Sequence, residues 1–144
     1  MVKVSHEELL GDGRVDNADD EELVDAMHAL HREGADNVLI TRAEEPALAL
    51  VEERIVRIRP PVLQVVDHRG AGDSMTAGLT AGLAKGLDML DALRLGAAAA
   101  GLNVTRRGLA TGDRREIERM ADHIELEEME RRPTGAEPEE ARSA

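Results

Sequence analysis

Eight residues near the middle of the chain, Asp67-His68-Arg69-Gly70-Ala71-Gly72-Asp73-Ser74, combine types that can handle a phosphate. Gly70 and Gly72 let backbone N–H groups converge without interference from a Cβ. If the segment leads from a strand end into a helix, the first helical turn adds unpaired N–H donors and the positive end of its dipole. Such a place binds phosphate and stabilises charge on a phosphoryl group in transfer. Asp73 would stand at its mouth. A carboxylate beside an anion site is repulsive unless it has a task, and accepting the proton of a hydroxyl is one. The same residues admit a plainer reading, in which Asp73 caps the helix and the glycines only make a turn. Eight residues do not choose between the two.

The surrounding pattern supplies elements that could hold this segment. Residues 2–4 are extended, and residues 12–20 are polar and turn-like. Asp19 or Asp20 caps a helix to about Arg32, with Leu23, Met27 and Leu30 on one face and Gly34 as its stop. Residues 37–41 read as a buried strand, and residues 47–51 and 54–59 as a hairpin around Glu52 and Glu53. Pro60 and Pro61 end that pairing, and residues 62–66 form a further extended piece. Residues 70–86 predict a helix with Met75, Leu79 and Leu83 at i, i+4, i+8, in which Gly78 and Gly82 permit close packing. Asp88 caps the next helix, which carries Leu90, Leu93, Ala97, Ala100 and Val104 on one face. Residues 105–112 are a loop, residues 114–128 a last helix, and disorder is expected from Arg132 onward. Strands alternating with helices predict an α/β sheet protein.

Composition narrows the function classes. The chain has 144 residues and no Phe, Tyr, Trp or Cys, so Leu, Val, Ile, Met and Ala must fill the core. The net charge of −12 is concentrated at two places: residues 7–25 carry nine acidic residues against Arg14, and residues 125–144 seven against three arginines. Without a basic stripe or stacking aromatics, nucleic acid is not an expected partner. No apolar run approaches the ~20 residues of a membrane span, and the first ten residues lack the pattern of a signal peptide, so a cytoplasmic protein is expected. His6, His28, His31, His68 and His123 show no metal-ligand spacing.

The glycine segment resembles the D-T-x-G-A-G-D signature of the ribokinase-like (pfkB) sugar kinases, and three further stretches fall in that family's order. Thr41-Arg42-Ala43-Glu44-Glu45-Pro46 resembles its T-x-G-x-x-G nucleotide loop. Asn103-Val104-Thr105-Arg106-Arg107-Gly108 resembles its V-T-R-x-G loop. Lys3-Val4-Ser5-His6-Glu7-Glu8-Leu9 resembles its K-P-N-x-x-E-L stretch, which is associated with metal and phosphate. The resemblance implies the C-terminal part of a three-layer α/β/α sandwich over residues 1–128, followed by an acidic tail at 129–144. It also implies phosphoryl transfer from ATP to a sugar or sugar phosphate, with Asp73 as base and Gly70, Ala71 and Gly72 as anion hole. Thr41, Arg42, Ala43, Glu44 and Pro46, together with Gly72, would line the nucleotide. Mg2+ would bridge phosphate oxygens, with Glu8 and Asp67 as the metal-linked carboxylates.

Departures from the pattern carry their own expectations. Ser5 replaces the motif's Asn, and Ser5-x-x-Glu8 is also a capping box, so a helix-start role competes with a metal-linked one. Ala43 and Pro46 replace both glycines of the nucleotide loop. Arg69 replaces the usual Thr, and its guanidinium can occupy the space of a monovalent cation or pair with Asp67, so no such cation is expected. Arg106 and Arg107 are expected on the surface, solvated or ion-paired. Family members are longer, and the absent N-terminal half carries most sugar contacts, so activity is expected to need that half or another chain. The rival reading is a non-catalytic nucleotide-binding or interaction module that keeps the fold.

Overall fold

The computed structural model describes residues 1–109 and 112–130. Its elements run β1 (Val2–Ser5), α1 (His6–Gly11), α2 (Asp20–Arg32), β2 (Val38–Arg42), β3 (Glu45–Val51) and β4 (Arg54–Arg59). They continue with α3 (Ala71–Ala84), α4 (Met89–Val104), α5 (Arg114–Ala121) and β5 (Glu125–Glu128). The five strands form one sheet in the order β1-β2-β3-β4-β5. β1 runs parallel to β2, and the remaining neighbours are antiparallel.

Alternation along β3 builds both faces of the sheet. Leu48 and Leu50 join Leu9, Leu23, Met27, Val38 and Ile40 under α1 and α2. Ala49 and Val51 join Leu39, Val56, Ile58, Met75, Leu79, Leu93 and Ala98 under α3 and α4. The sheet is therefore the middle of three layers, as expected. Each fully buried Leu or Ile contributes about 1.5–3 kcal/mol, and these side chains replace the absent aromatics. On the α3 side, close helix approach makes up for small residues. A Cβ at Gly78 would fall 2.9 Å from Gly96 Cα, and one at Gly96 would fall 2.7 Å from the Met75 carbonyl oxygen.

Most expected boundaries hold. Asp19 caps α2 by accepting from the Glu22 N–H, and Asp88 caps α4 by accepting from Asp91. The β3–β4 hairpin closes at the Val51–Arg54 pair, leaving Glu52 and Glu53 in the turn.

Three expectations are corrected. The last helix stops at Ala121, and residues 125–128 form β5 on the edge of the sheet. The acidic run pairs with a basic strand: Glu127 sits opposite Arg57 and bonds Arg59 Nε at 2.8 Å. Cross-strand charge of this kind also blunts an exposed edge. Residues 62–66 are not a strand, because β4 already has β3 and β5 on its two sides; Val62 is fully exposed. Leu83 is exposed, since α3 meets α4 along Met75, Gly78, Leu79 and Gly82 instead. The expected disordered tail from Arg132 lies outside the described residues.

Candidate phosphate-binding site

The glycine segment does lead into a helix. Gly70 occupies the cap position of α3 with φ 77°, a left-handed conformation that glycine adopts at little cost. It offers no side chain to the helix end, and no side-chain capping bond is made there. The first helical bond runs from the Ser74 N–H to the Gly70 carbonyl at 2.9 Å, and the Ala71 N–H reaches the His68 carbonyl at 3.4 Å. Among the described residues, the N–H groups of Gly72 and Asp73 find no acceptor within the chain. They are the orphan donors of a helix start, aimed outward along the axis.

Strand β1 brings a cation to the same place. Lys3 is paired with Leu39, whose side chain belongs to the α3 face of the sheet. Its Nζ lies 3.3 Å from where a Cβ on Gly72 would sit. No hydrogen bond or ion pair engages this ammonium among the described residues. Two free amides and a free ammonium at a helix N-terminus are the donors an anion site requires.

Asp73 is exposed at the third position of α3 and makes no capping bond, so the cap reading of this carboxylate does not hold. It stands beside these donors with no partner among the described residues.

The preceding loop is pinned by charge. Arg69 folds back on Asp67, with Nε at 3.1 Å from both carboxylate oxygens and Nη2 at 2.7 Å from Oδ2. The Arg69 N–H adds a bond of 3.0 Å to Oδ1. The guanidinium hydrogen bonds, followed by that backbone bond, hold the Asp67 carboxyl down to about 2. Asp67 is therefore ionised throughout the ordinary pH range and saturated by Arg69.

Residues 41–46 span the end of β2, the two-residue turn Ala43-Glu44 and the start of β3, with the turn closed by the Arg42–Glu45 pair. Glu44 Oε1 lies 3.9 Å from His68 Nε2, so this turn and the glycine segment are neighbours. Ala43 has φ 29°, a left-handed conformation that favours the glycine it replaces. The Thr41 carbonyl oxygen is 3.4 Å from His6 Nδ1. Arg42 turns the other way. It is buried on the α2 face of the sheet, donating to the Pro46 carbonyl at 2.8 Å and to Asp20 Oδ1 at 2.6 Å. Asp20 also accepts from Arg57. Burial pushes the Asp20 carboxyl up, but the two arginines together more than offset it and leave it below its ordinary value. Arg42 is thus separated by the sheet from α3.

Glu8 and Ser5 form the capping box of α1: Ser5 N–H donates to Glu8 Oε2 at 2.7 Å, and Glu8 N–H to Ser5 Oγ at 3.1 Å. The Ser5 backbone bond, then its hydroxyl, lowers the Glu8 carboxyl, with a smaller contribution from Lys3. Among the described residues, no group of three or more His, Asp or Glu gathers to hold a metal. A magnesium ion that arrives on nucleotide phosphates needs only one or two protein carboxylates; with Asp67 taken by Arg69, the exposed Glu8, bonded through Oε2 to Ser5, is the candidate that remains.

The last turn of α4 and the loop after it complete the surroundings. Asn103 Nδ2 donates to the Arg69 carbonyl at 2.7 Å, and Arg106 pairs with Glu116 at 2.9 Å, fastening the loop to α5. Two contributors escape a reading of the residues as sites. Lys3 was visible only as the start of a motif, and its approach to Gly72 depends on sheet order. Asn103 carried one signal, a polar residue at the end of an apolar helical face.

A three-layer α/β/α arrangement with a glycine turn that leaves free amides at the start of α3 is the class of fold these elements define. The pfkB family carbohydrate kinase description matches residues 1–116, and the chain belongs to that family. It is 33% identical over 106 residues to 1-phosphofructokinase of Escherichia coli strain K12, covering 74% of this chain and 34% of that protein. It is 39% identical over 112 residues to bifunctional protein HldE of Magnetococcus marinus, covering 76% of this chain and 23% of the relative. Among solved structures, Arabidopsis thaliana ribokinase complexed with ribose and ATP superposes with a TM-score of 0.74 at 26% identity, covering 83% of this chain and 40% of that one. Escherichia coli phosphofructokinase-2 in complex with potassium shares the fold, with a TM-score of 0.75 at 21% identity over 84% of this chain and 40% of its own. The chain spans about a third or less of the length of these curated relatives. Among the described residues, no helix is long and apolar enough to cross a membrane.

Proposed function

We propose that this chain is the nucleotide-binding and catalytic part of an ATP-dependent phosphotransferase acting on a hydroxyl of a sugar or sugar phosphate. One observation carries the reading. The free amides of Gly72 and Asp73 and the unpaired Lys3 ammonium meet at the start of α3, with an unpartnered carboxylate beside them. The 1-phosphofructokinase relative and the ribokinase bound to ribose and ATP point to the same substrates. An ATP-dependent enzyme of this kind belongs in the cytoplasm.

In this mechanism the acceptor hydroxyl oxygen forms a bond to the γ-phosphorus while the bond to the ADP oxygen breaks. The transition state is loose, so placement and charge neutralisation matter more than a strong base. The amides of Gly72 and Asp73 and the Lys3 ammonium face the charge on the moving phosphoryl group, while the Ala71 N–H is already bonded to the His68 carbonyl. Asp73 takes the hydroxyl proton, which leaves late. Thr41, Ala43, Glu44 and Pro46 flank the nucleotide, while Arg42 supports their turn from the far face. Mg2+, when bound, would neutralise phosphate charge, with Glu8 as the carboxylate that could approach it and Asp67 occupied by Arg69. The guanidinium on Asp67 supplies positive charge of the kind a monovalent cation would bring. The acceptor sugar is held by a part of the kinase outside residues 1–128, on the same protein or on another chain.

A second reading, a nucleotide-binding module without turnover, is favoured by one observation: Ala43 carries a Cβ in the left-handed turn where the nucleotide would approach.

The anion site is tested through Lys3. Lys3→Ala weakens ATP binding by about tenfold, the effect of one lost charge-assisted contact. Isothermal titration measures it on this chain. Unchanged affinity would remove Lys3 from the site.

A further inference from the structure

The last turn of α4 grips the glycine loop at several points. The Val104 carbonyl accepts from both the Val66 N–H at 2.7 Å and the Asp67 N–H at 3.1 Å. One residue earlier, Asn103 Nδ2 donates to the Arg69 carbonyl at 2.7 Å. Asn103 is only 1% exposed. A carboxamide buried this deeply is costly unless it is bonded, so its orientation is dictated by its partners.

The carbonyl it holds belongs to the peptide joining Arg69 to Gly70, and Gly70 sets the direction in which α3 begins. Rotation of that peptide would swing the whole first turn. The remaining polar groups of Arg69 are also engaged, its N–H and guanidinium both bonding Asp67. From above, a Cβ on Gly70 would lie 2.7 Å from Leu109 Cδ2 and 3.5 Å from Asn103 Nδ2, so the peptide is confined on that side too.

We propose that Asn103 is a positioning residue of the phosphate site. Its carboxamide fixes the 69–70 peptide so that the Gly72 and Asp73 amides converge on one phosphate oxygen. Asn103 touches no substrate; it acts through Arg69 and Gly70. The proposal rests on reading the start of α3 as a phosphate site, and the experiment separates the two claims.

The test compares the wild-type chain with Asn103→Ala, which removes the donor, and Asn103→Leu, which removes it while filling the space. Amide hydrogen exchange is recorded in the free proteins, and inorganic phosphate is then titrated while the Gly72 and Asp73 amide shifts are followed. Exchange at Val66, Asp67 and Ser74 accelerates at least about tenfold in both variants, while Leu93 and Ala98 in the middle of α4 keep wild-type rates. Phosphate affinity falls about tenfold. Wild-type exchange at Ser74, unaltered phosphate affinity, or acceleration spread evenly along α4 would each overturn the positioning role. If the wild-type chain binds no phosphate, the site reading fails, and the exchange pattern alone decides the role of Asn103.

Discussion

In a complete kinase containing this segment, Asp73→Asn lowers the rate of phosphoryl transfer by roughly 10²–10⁴-fold, the usual loss when a general base is removed. ATP binding stays intact or tightens slightly. Asn keeps the shape of the side chain but cannot accept the hydroxyl proton. It also removes a negative charge beside the phosphates, a repulsion of about 1 kcal/mol at a partly solvated separation. Stability should fall by no more than about 1 kcal/mol, because Asp73 makes no capping bond and acts on α3 only through the dipole of its first turn. Single-turnover kinetics, ATP titration and thermal unfolding of the variant measure the three quantities. Near-normal turnover with a lowered melting temperature would make Asp73 a helix-stabilising residue and remove it from the chemistry.

The second large effect is structural and lies under the site. Gly96→Val unfolds the chain. A Cβ at Gly96 would stand 2.7 Å from the Met75 carbonyl oxygen, 3.2 Å from the Leu79 nitrogen and 3.3 Å from the Leu79 Cβ. The nearest two are backbone atoms of α3, so no rotamer change relieves the clash and the helices must part. Overpacking costs typically about 1–3 kcal/mol for small insertions and more when backbone is struck. Gly96→Ala is already a net loss despite the gain of roughly 1 kcal/mol in helix propensity. Val adds two further methyl groups to a domain whose whole stability is about 5–15 kcal/mol. Gly11→Ala is the control, since a Cβ there meets nothing within 4 Å. Urea denaturation ranks the three. A Gly96→Val chain as stable as Gly11→Ala would mean that α3 and α4 do not pack by this contact.

Local signals carried much of the fold. Asp19 and Asp88 cap helices because a short acceptor before an apolar periodic run has few other uses, and Glu52-Glu53 turn because two alternating arms flank them. The glycine segment was legible as a turn into a helix for the same reason. What sequence did not reveal depends on partners distant in the chain. Residues 125–128 have no intrinsic preference for a strand, and they pair because β4 offers an edge with Arg57 and Arg59. Arg42 sits in the nucleotide-loop motif, yet strand parity sends its side chain to Asp20 on the opposite face. Lys3 reaches Gly72 only because parallel pairing with β2 aims it at the α3 layer. The choice between Asp73 as cap and Asp73 as free carboxylate turned on one backbone fact, the left-handed Gly70 in the cap position.

The most direct measurement on the central claim is an amide-resolved NMR titration of this chain with a non-hydrolysable ATP analogue and Mg2+. The Ala71, Gly72 and Asp73 amides should shift together and saturably, with the turn at Ala43 and Glu44 following the same curve. Shifts confined to the acidic stretch at residues 7–25, or none at millimolar analogue, would contradict the assignment of the α3 start as the site where phosphate is held.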